Sequence, residues 1–290
     1  VSWLNNNRNF TDSDENSKHF VNTIKLNVLG DLYYFEKYSQ AVGLTFEFTN
    51  LDSTDDGRHV QFKGTIKETS SFRISNWFSV VIPLGFTFCN KNIAFVPKLG
   101  TKFSFTKCEL LINCYRMVQF PNMDDLYWNG GGFLGNKNLK KEDGIGAELT
   151  INTFDILLPF SFCVFSNYYK NKIQWSGNTV KNVASAFYLG ANISFEKSLF
   201  NEVLKLNFNL EYLYTCLLDS SNELTYRKKI MWTPDFVGSL IIQANFDYFS
   251  IKLDANYVGL RYKTNMNLGY LPPYLLLNLG GEFSKFKCII

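Results

Sequence analysis

The chain reads as an all-β protein, and more narrowly as a transmembrane antiparallel β-barrel. Three observations lead there. Apolar and polar residues alternate strictly in run after run, the mark of strands with one apolar face. The runs number about fourteen, of roughly nine to fifteen residues, whereas strands in ordinary sheets average about five or six. Short and long connections alternate between them, as in barrels that cross a membrane.

Taken in order, residues 1–18 are polar, with NNNRN and DSDENS, and are expected to be an exposed loop or a cut end. Ile24, Leu26 and Val28 then oppose Lys25 and Asn27, and Val42, Leu44, Phe46 and Phe48 oppose Gly43, Thr45, Glu47 and Thr49. After the turn LDSTDDGR come Val60, Phe62 and Ile66 against Gln61, Lys63, Thr65 and Lys67. Val80, Ile82, Leu84, Phe86 and Phe88 share a face with Pro83 opposite, and Pro159 is expected to sit likewise against Ile156, Leu158, Phe160 and Phe162. Prolines inside strands imply a wet or irregular second face. A short turn at Thr106 and Lys107 leads into CELLINCYRMVQ. The later strands repeat the pattern, most clearly Leu204, Leu206, Phe208, Leu210 and Tyr212 against Lys205, Asn207, Asn209 and Glu211. No helical segment of similar quality is visible. A Lys on a lipid face costs about 2–4 kcal/mol at mid-membrane, and in the best strands the charges keep to the other face. Trp and Tyr gather near strand ends, where interfacial girdles place them.

Between residues 116 and 148 lies a long aromatic and glycine-rich connection, RMVQFPNMDDLYWNGGGFLGNKNLKKEDGIGAE. Loops of this length in compact folds are usually functional or disordered, and its aromatics speak against disorder. Asp124 and Asp125 have no partner base or metal motif nearby and read as loop-capping acids rather than a catalytic pair. NGGG at residues 129–132 lacks the following helix of a phosphate cradle.

Composition excludes several classes. With 28 Phe, 16 Tyr and only 7 Pro in 290 residues, strand formers dominate. A net charge of +3 without a polybasic patch argues against nucleic acid as a partner. The longest apolar run, ILLPFSFCVF at residues 156–165, is about half a membrane-spanning helix. The six cysteines, Cys89, Cys108, Cys114, Cys163, Cys216 and Cys288, show no CxxC and there are only two histidines, so neither a cofactor nor a zinc or catalytic centre is expected. They read as buried free thiols, although Cys108 and Cys114 share a strand face and spacing alone does not decide a disulfide. Asp52, Asp55 and Asp56 could offer oxygens to calcium but lack a calcium loop's spacing, and a solvated hairpin turn is the better reading.

Six blocks in order resemble the barrel of the TonB-dependent outer-membrane receptors. AFVPKLGTKFSF (94–105) with YRMVQFPNMDDLYW (115–128), then GNKNLKKEDGIGAEL (135–149), are similar to a strand pair and the loop motif that follows it. IQW (173–175) with NVASAFYLGANISF (182–195), RKKIMWTPDFVGSL (227–240), NYVGLRYKTN (256–265) and LPPYLLLNLGGEF (271–283) continue the order. Lys137 and Lys141 replace two prolines of the family pattern, Asn192 an acidic residue and Phe236 a histidine. The resemblance implies part of a 22-stranded barrel, with the family's plug domain and closing strands having no counterpart in the sequence.

The resemblance further implies energised uptake of a scarce bulky nutrient, an iron chelate or a cobalamin-like compound, across the outer membrane of a diderm bacterium. Outer-membrane lipid, the small-molecule nutrient and a TonB-like periplasmic protein acting through the plug would be the partners, and no enzyme activity is expected. Tyr127, Trp128, Tyr168, Tyr169, Trp175, Arg261 and Tyr262 are candidate ligand residues, because aromatics and Arg near loops can grip a flat or anionic chelate. Anchoring at the membrane interface is their alternative role. A smaller closed barrel acting as a passive pore or structural surface protein is the competing function, and a soluble β enzyme or lectin a third.

Overall fold

The computed structural model describes residues 2–11, 16–54, 56–154, 156–219 and 222–283. The first eight strands are β1 (Ser2–Thr11), β2 (Asn16–Phe35), β3 (Tyr38–Ser53), β4 (Gly57–Arg73), β5 (Phe78–Cys89), β6 (Asn92–Phe95), β7 (Lys98–Ser104) and β8 (Cys108–Gln119). A short helix α1 (Met123–Tyr127) and the two-residue strands β9 (Asn129–Gly130) and β10 (Phe133–Leu134) follow. The rest are β11 (Glu142–Thr153), β12 (Phe160–Ser176), β13 (Thr179–Leu199), β14 (Leu204–Leu217), β15 (Phe236–Asn245), β16 (Phe249–Val258), β17 (Arg261–Tyr262), β18 (Tyr270–Leu271) and β19 (Tyr274–Phe283). Among the described residues no helix is long and apolar enough to cross a membrane, which bears on helices alone.

The chain divides into two compact units, the first comprising Val1–Lys102, Asn113–Gly146 and Tyr168–Ala186. In it β1 to β6 pair consecutively and antiparallel. The register stands Val28, Leu44, Ile66 and Phe86 side by side on four strands, with Ile24, Phe48 and Phe62 in another row of the same face. These side chains are not a core. Ile24 is 50%, Ile66 47% and Phe86 52% exposed. The opposite face carries Lys25, Glu47 and Lys63 in one cross-strand row, opposite charges adjacent, and Asn27, Thr45, Thr65 and Thr87 in another. Thr45 Oγ1 donates to Asn27 Oδ1 at 3.1 Å. A sheet with an exposed apolar face and a hydrogen-bonded polar face inverts the arrangement of a soluble protein and suits lipid outside and water inside. Gly64 marks a point where no side chain fits: a Cβ there would meet the Phe88 ring at 2.3 Å, and Phe46 and Phe88 close over the gap with centroids 6.1 Å apart.

The second unit comprises Phe103–Ile112, Ala147–Asn167 and Phe187–Ile290. Its β14, β15, β16 and β19 form a meander that aligns Leu206, Ile242, Leu253 and Leu279 on one face and Asn209, Ser239 and Asn256 on the other. Asn192 Nδ2 donates to Asn209 Oδ1 at 2.8 Å, so the residue that departs from the expected acid joins this polar row. The glycine device recurs, since a Cβ at Gly190 would lie 2.3 Å from the Phe165 ring.

Several expectations change. Residues 1–18 are not a loop: Ser2–Thr11 pairs with residues 16–25 of β2, and residues 12–15 lie outside the described ones. Backbone pairing needs no apolar face, so a polar strand carries no period-two signal. A helix exists, though only five residues long. Pro159 precedes β12 rather than interrupting a strand, which leaves Leu157 90% exposed in the connection. Pro83 does lie within β5, buried and opposite Thr69. Cys89, Cys108, Cys114, Cys163 and Cys216 are all free, so no disulfide joins Cys108 to Cys114, but only Cys89 and Cys216 are buried and Cys114 is exposed. Cys288 and Asp55 lie outside the described residues.

Candidate functional site

The long connection after β8 is ordered by its own side chains and by fastenings to distant strands of the first unit. Phe120 is buried, and the Pro121 carbonyl accepts from the nearly inaccessible Gln61 amide at 3.0 Å. Asn122 caps α1: its Oδ1 accepts from the Asp125 N–H at 2.7 Å while Asp125 Oδ2 accepts from the Asn122 N–H at 3.1 Å. This is a reciprocal capping box. Met123 anchors the helix in the interior, and the Trp128 N–H closes it on the Asp124 carbonyl at 3.1 Å. Asp125 is therefore a capping acid, as its position suggested. Burial pushes its carboxyl above the usual carboxylate range, with Asp124 adding to the rise and the Asn122 N–H opposing it.

The second half of the connection is clasped to β12 and β13. Leu134 and Asn136 donate backbone N–H groups to the Asn178 and Asp125 carbonyls, each at 2.8 Å. Asn136 uses its side chain twice, accepting from the Asn138 N–H at 2.9 Å and donating to the Val180 carbonyl at 3.1 Å. Asn182 grips Lys140 like a strand partner, accepting from its N–H at 2.8 Å and donating to its carbonyl at 2.9 Å. Its amide also reaches the Asn171 carbonyl at 2.8 Å. Asn171 itself has φ +54°, a conformation Asn tolerates better than most residues. Beneath the clasp Glu142, 1% exposed, accepts from Lys172 Nζ at 2.9 Å and from the Ile173 N–H at 2.8 Å. Gly135 fits because a Cβ would lie 2.7 Å from the Trp128 and Tyr127 nitrogens.

This frame presents a small platform. The Tyr127 and His59 rings stack with centroids 3.7 Å apart and 12° between planes. Lys137 Nζ lies 5.4 Å over Tyr127 and 3.9 Å from Asp56 Oδ1, and His59 Nε2 is 2.8 Å from the Asp56 carbonyl. Lys137 remains mostly exposed. A flat π surface edged by an exposed cation can hold a planar or anionic small molecule.

Of the seven expected ligand residues, five lie in this unit, and the structure does not gather them in one place. Tyr127 is in the platform. Trp128 turns its indole N–H to the Gly130 carbonyl at 3.2 Å, and Trp175 meets Phe133 edge-on at 6.0 Å. The Tyr168 hydroxyl is 3.0 Å from Ser185 Oγ, while the Tyr169 hydroxyl donates to Met117 Sδ at 3.2 Å beneath Lys172. Arg261 and Tyr262 belong to the second unit. There the Arg261 guanidinium lies over the Tyr274 ring at 5.1 Å, and the Tyr262 carbonyl accepts from the Trp232 N–H at 2.9 Å. Asp56 of the aspartate turn faces Lys137, and among the described residues no group of three or more His, Cys, Asp or Glu is placed to hold a metal. Sequence reasoning missed His59, Lys137, Glu142, Asn136 and Asn182 as site residues. Four of the five stand in the blocks quoted for the resemblance, which was the available signal, whereas His59 had none.

Comparison with known proteins agrees with this architecture. The family described as TonB dependent receptor-like, beta-barrel matches residues 5–287. A search of curated proteins finds no match. Among solved structures, a variant of the ferric enterobactin receptor PfeA from Pseudomonas aeruginosa is 18% identical with a TM-score of 0.69, the alignment covering 94% of this chain and 47% of that one. The ferric yersiniabactin uptake receptor FyuA from Yersinia pestis is 12% identical with a TM-score of 0.72, covering 97% and 50%. The siderophore receptor PirA from Acinetobacter baumannii is 14% identical with a TM-score of 0.70, covering 96% and 50%. The chain thus spans about half the length of these receptors, at identities that speak to fold. With the alternating faces, the antiparallel register and a family match over nearly every residue, the chain belongs to the TonB-dependent receptor-like β-barrel family.

Proposed function

We propose that this chain is barrel from an outer-membrane receptor that takes up an iron chelate, with energy supplied by a TonB-like periplasmic protein acting through a plug domain. The observation that carries the reading is the Tyr127–His59 stack with Lys137 above it, set on a connection clasped at Asn136, Asn182 and Glu142. A platform already ordered without ligand loses little conformational freedom on binding. The fold it shares with receptors whose names specify siderophores supports an iron chelate over a cobalamin-like ligand. Trp128, Tyr168, Tyr169 and Trp175 support the strands and loop around the platform rather than forming it.

The test is transport of a radioactive iron chelate by cells in which this gene is the sole receptor for it. Replacing Tyr127 and Lys137 together by Ala is expected to reduce uptake at least about tenfold, the loss of one stacking and one cation contact, while the protein still reaches the membrane. Uptake should also cease when the energising partner is deleted. Transport that persists without that partner would establish the passive pore instead, and loss of insertion in the double variant would make the platform structural.

A further inference from the structure

Across the middle of β3, β4 and β5 one carboxylate stands on the apolar face. Glu68 follows Ile66 by two residues on β4 and is flanked by Val42 on β3 and Leu84 on β5. Ile66 and Leu84 are exposed to the surroundings of that face. From residue 38 to 48 on β3, 60 to 72 on β4 and 78 to 88 on β5, every other even-numbered position, which shares this face, is uncharged. Ser70 Oγ donates to Glu68 Oε1 at 2.7 Å, and the Tyr38 hydroxyl is 3.3 Å from Ser70 Oγ. Gln40 stands opposite Ser70. A polar stripe therefore runs from Glu68 toward one end of the strands.

That end can be identified. It is where β2 turns into β3 at residues 36–37 and β4 into β5 at 74–77, away from the end where Gln61 of β4 bonds Pro121 of the long connection; long connections lie on the outer side of such barrels, so this end faces the periplasm. An aromatic border marks it. The Tyr38 and Phe72 rings lie 4.9 Å apart, and Trp77 is 56% exposed. Glu68 is four residues from Phe72, about 13 Å along the strand or roughly 10 Å of depth at a tilt near 40°. Its bond to Ser70 leans the carboxylate back toward the border and shortens that distance.

A hydroxyl donor is neutral and leaves the carboxylate's charge uncompensated at a depth where isolated charge is costly. Among the described residues Glu68 has no ion-pair partner. No described residue supplies the compensating cation, which points to one from the surroundings of this face. A second copy packed through the same three strands would bring no Lys or Arg at this depth, only uncharged positions or another Glu68. A lipid with a primary ammonium brings a cation, three N–H donors for the carboxylate and hydroxyl oxygens, and acyl chains for Ile66 and Leu84. We infer that Glu68, Ser70 and Tyr38 form a headgroup site for an ethanolamine phospholipid of the periplasmic leaflet. This rests on the membrane-facing barrel wall and not on what the receptor transports.

The test is native mass spectrometry of the whole receptor, expressed from its own gene and purified in mild detergent, with added phosphatidylethanolamine, phosphatidylcholine or phosphatidylglycerol. The ethanolamine lipid should be retained about tenfold better than the choline lipid, the equivalent of one charge-assisted hydrogen bond. Glu68→Gln should abolish that preference, and Glu68→Leu should do so while inserting at least as well. Mono-, di- and trimethylated ethanolamine lipids examine the same site with no substitution at all, and retention should fall as each N–H is removed. Equal retention across that series, a preference that survives Glu68→Gln, or a dimer that dissociates on Glu68→Gln would each overturn the assignment.

Discussion

Two connections in this molecule, one in each unit, are closed by the same device and differ in what lies beneath it. In the first unit the Asn182 amide pairs with both backbone groups of Lys140. In the second, Asn267 accepts from the Lys229 N–H at 2.9 Å and donates to its carbonyl at 2.8 Å. Asn267 has φ +59°, so a turn residue suited to the left-handed region also serves as the clamp. Each amide imitates a strand edge and satisfies a loop residue that has no strand to pair with. The ion pairs nearby differ. Glu142 is almost fully buried against Lys172, whereas Lys229 and Asp235 each keep roughly a third of their side-chain surface. The first connection is thus held by a group that cannot lose its partner cheaply, the second by one that water can replace.

The sharpest way to break the comparison is Glu142→Ala. It strands Lys172 and the Ile173 N–H, and should destabilise the clasp by about 3 kcal/mol, at the low end for a broken buried pair because Lys172 retains some water. Amide exchange across residues 120–141 should rise by about two orders of magnitude, and Glu142→Gln should restore part of the protection. Next in size are the clamps themselves. Asn182→Ala, which removes three hydrogen bonds, should cost about 2 kcal/mol, and Asn267→Ala, which removes two, about 1 kcal/mol. Equal effects measured by local exchange would mean that the shared geometry, not the number of bonds, sets the strength. Asp235→Asn should be smaller, below about 1 kcal/mol, and should shrink further in high salt.

The strand faces were legible because period two is a local property. Ile24, Leu26 and Val28 declare a face without reference to any other segment, and the register then aligns them with Phe48, Phe46 and Leu44. Strand β1 was illegible for the same reason, since its pairing is backbone chemistry with no alternating side chains to announce it. The clasp lies between these cases. Asn136, Lys140 and Glu142 stood inside a motif that signalled a family, but their partners Val180, Asn182 and Lys172 are 30 to 44 residues away, and no local pattern encodes a side chain bonding to a remote carbonyl. His59 was the hardest to find, because a histidine in a hairpin turn becomes part of a platform only when Tyr127, on another connection, is laid against it.

The smallest expected effect concerns Asp125, and it separates the cap from the clasp. Its carboxyl is raised above the ordinary aspartate value of 3.8 chiefly by burial, so the folded loop prefers the protonated form. The sign follows directly: the contribution to stability is complete below that ordinary value and is lost as pH rises through the higher folded one. Local opening of α1, followed by exchange of the Asn136 N–H bonded to the Asp125 carbonyl and corrected for intrinsic rate, should increase as pH rises above the ordinary aspartate value. Asp125→Asn keeps an oxygen for the Asn122 N–H but carries no charge, so it should flatten that dependence and match or exceed the native loop at neutral pH. Glu142→Gln should leave most of the acidic trend in place, since its charge is the smallest of the influences on Asp125, while lowering protection at every pH. If both substitutions flattened it alike, cap and clasp would be one cooperative unit, and the Asn122–Asp125 box would owe its geometry to the buried pair beneath it.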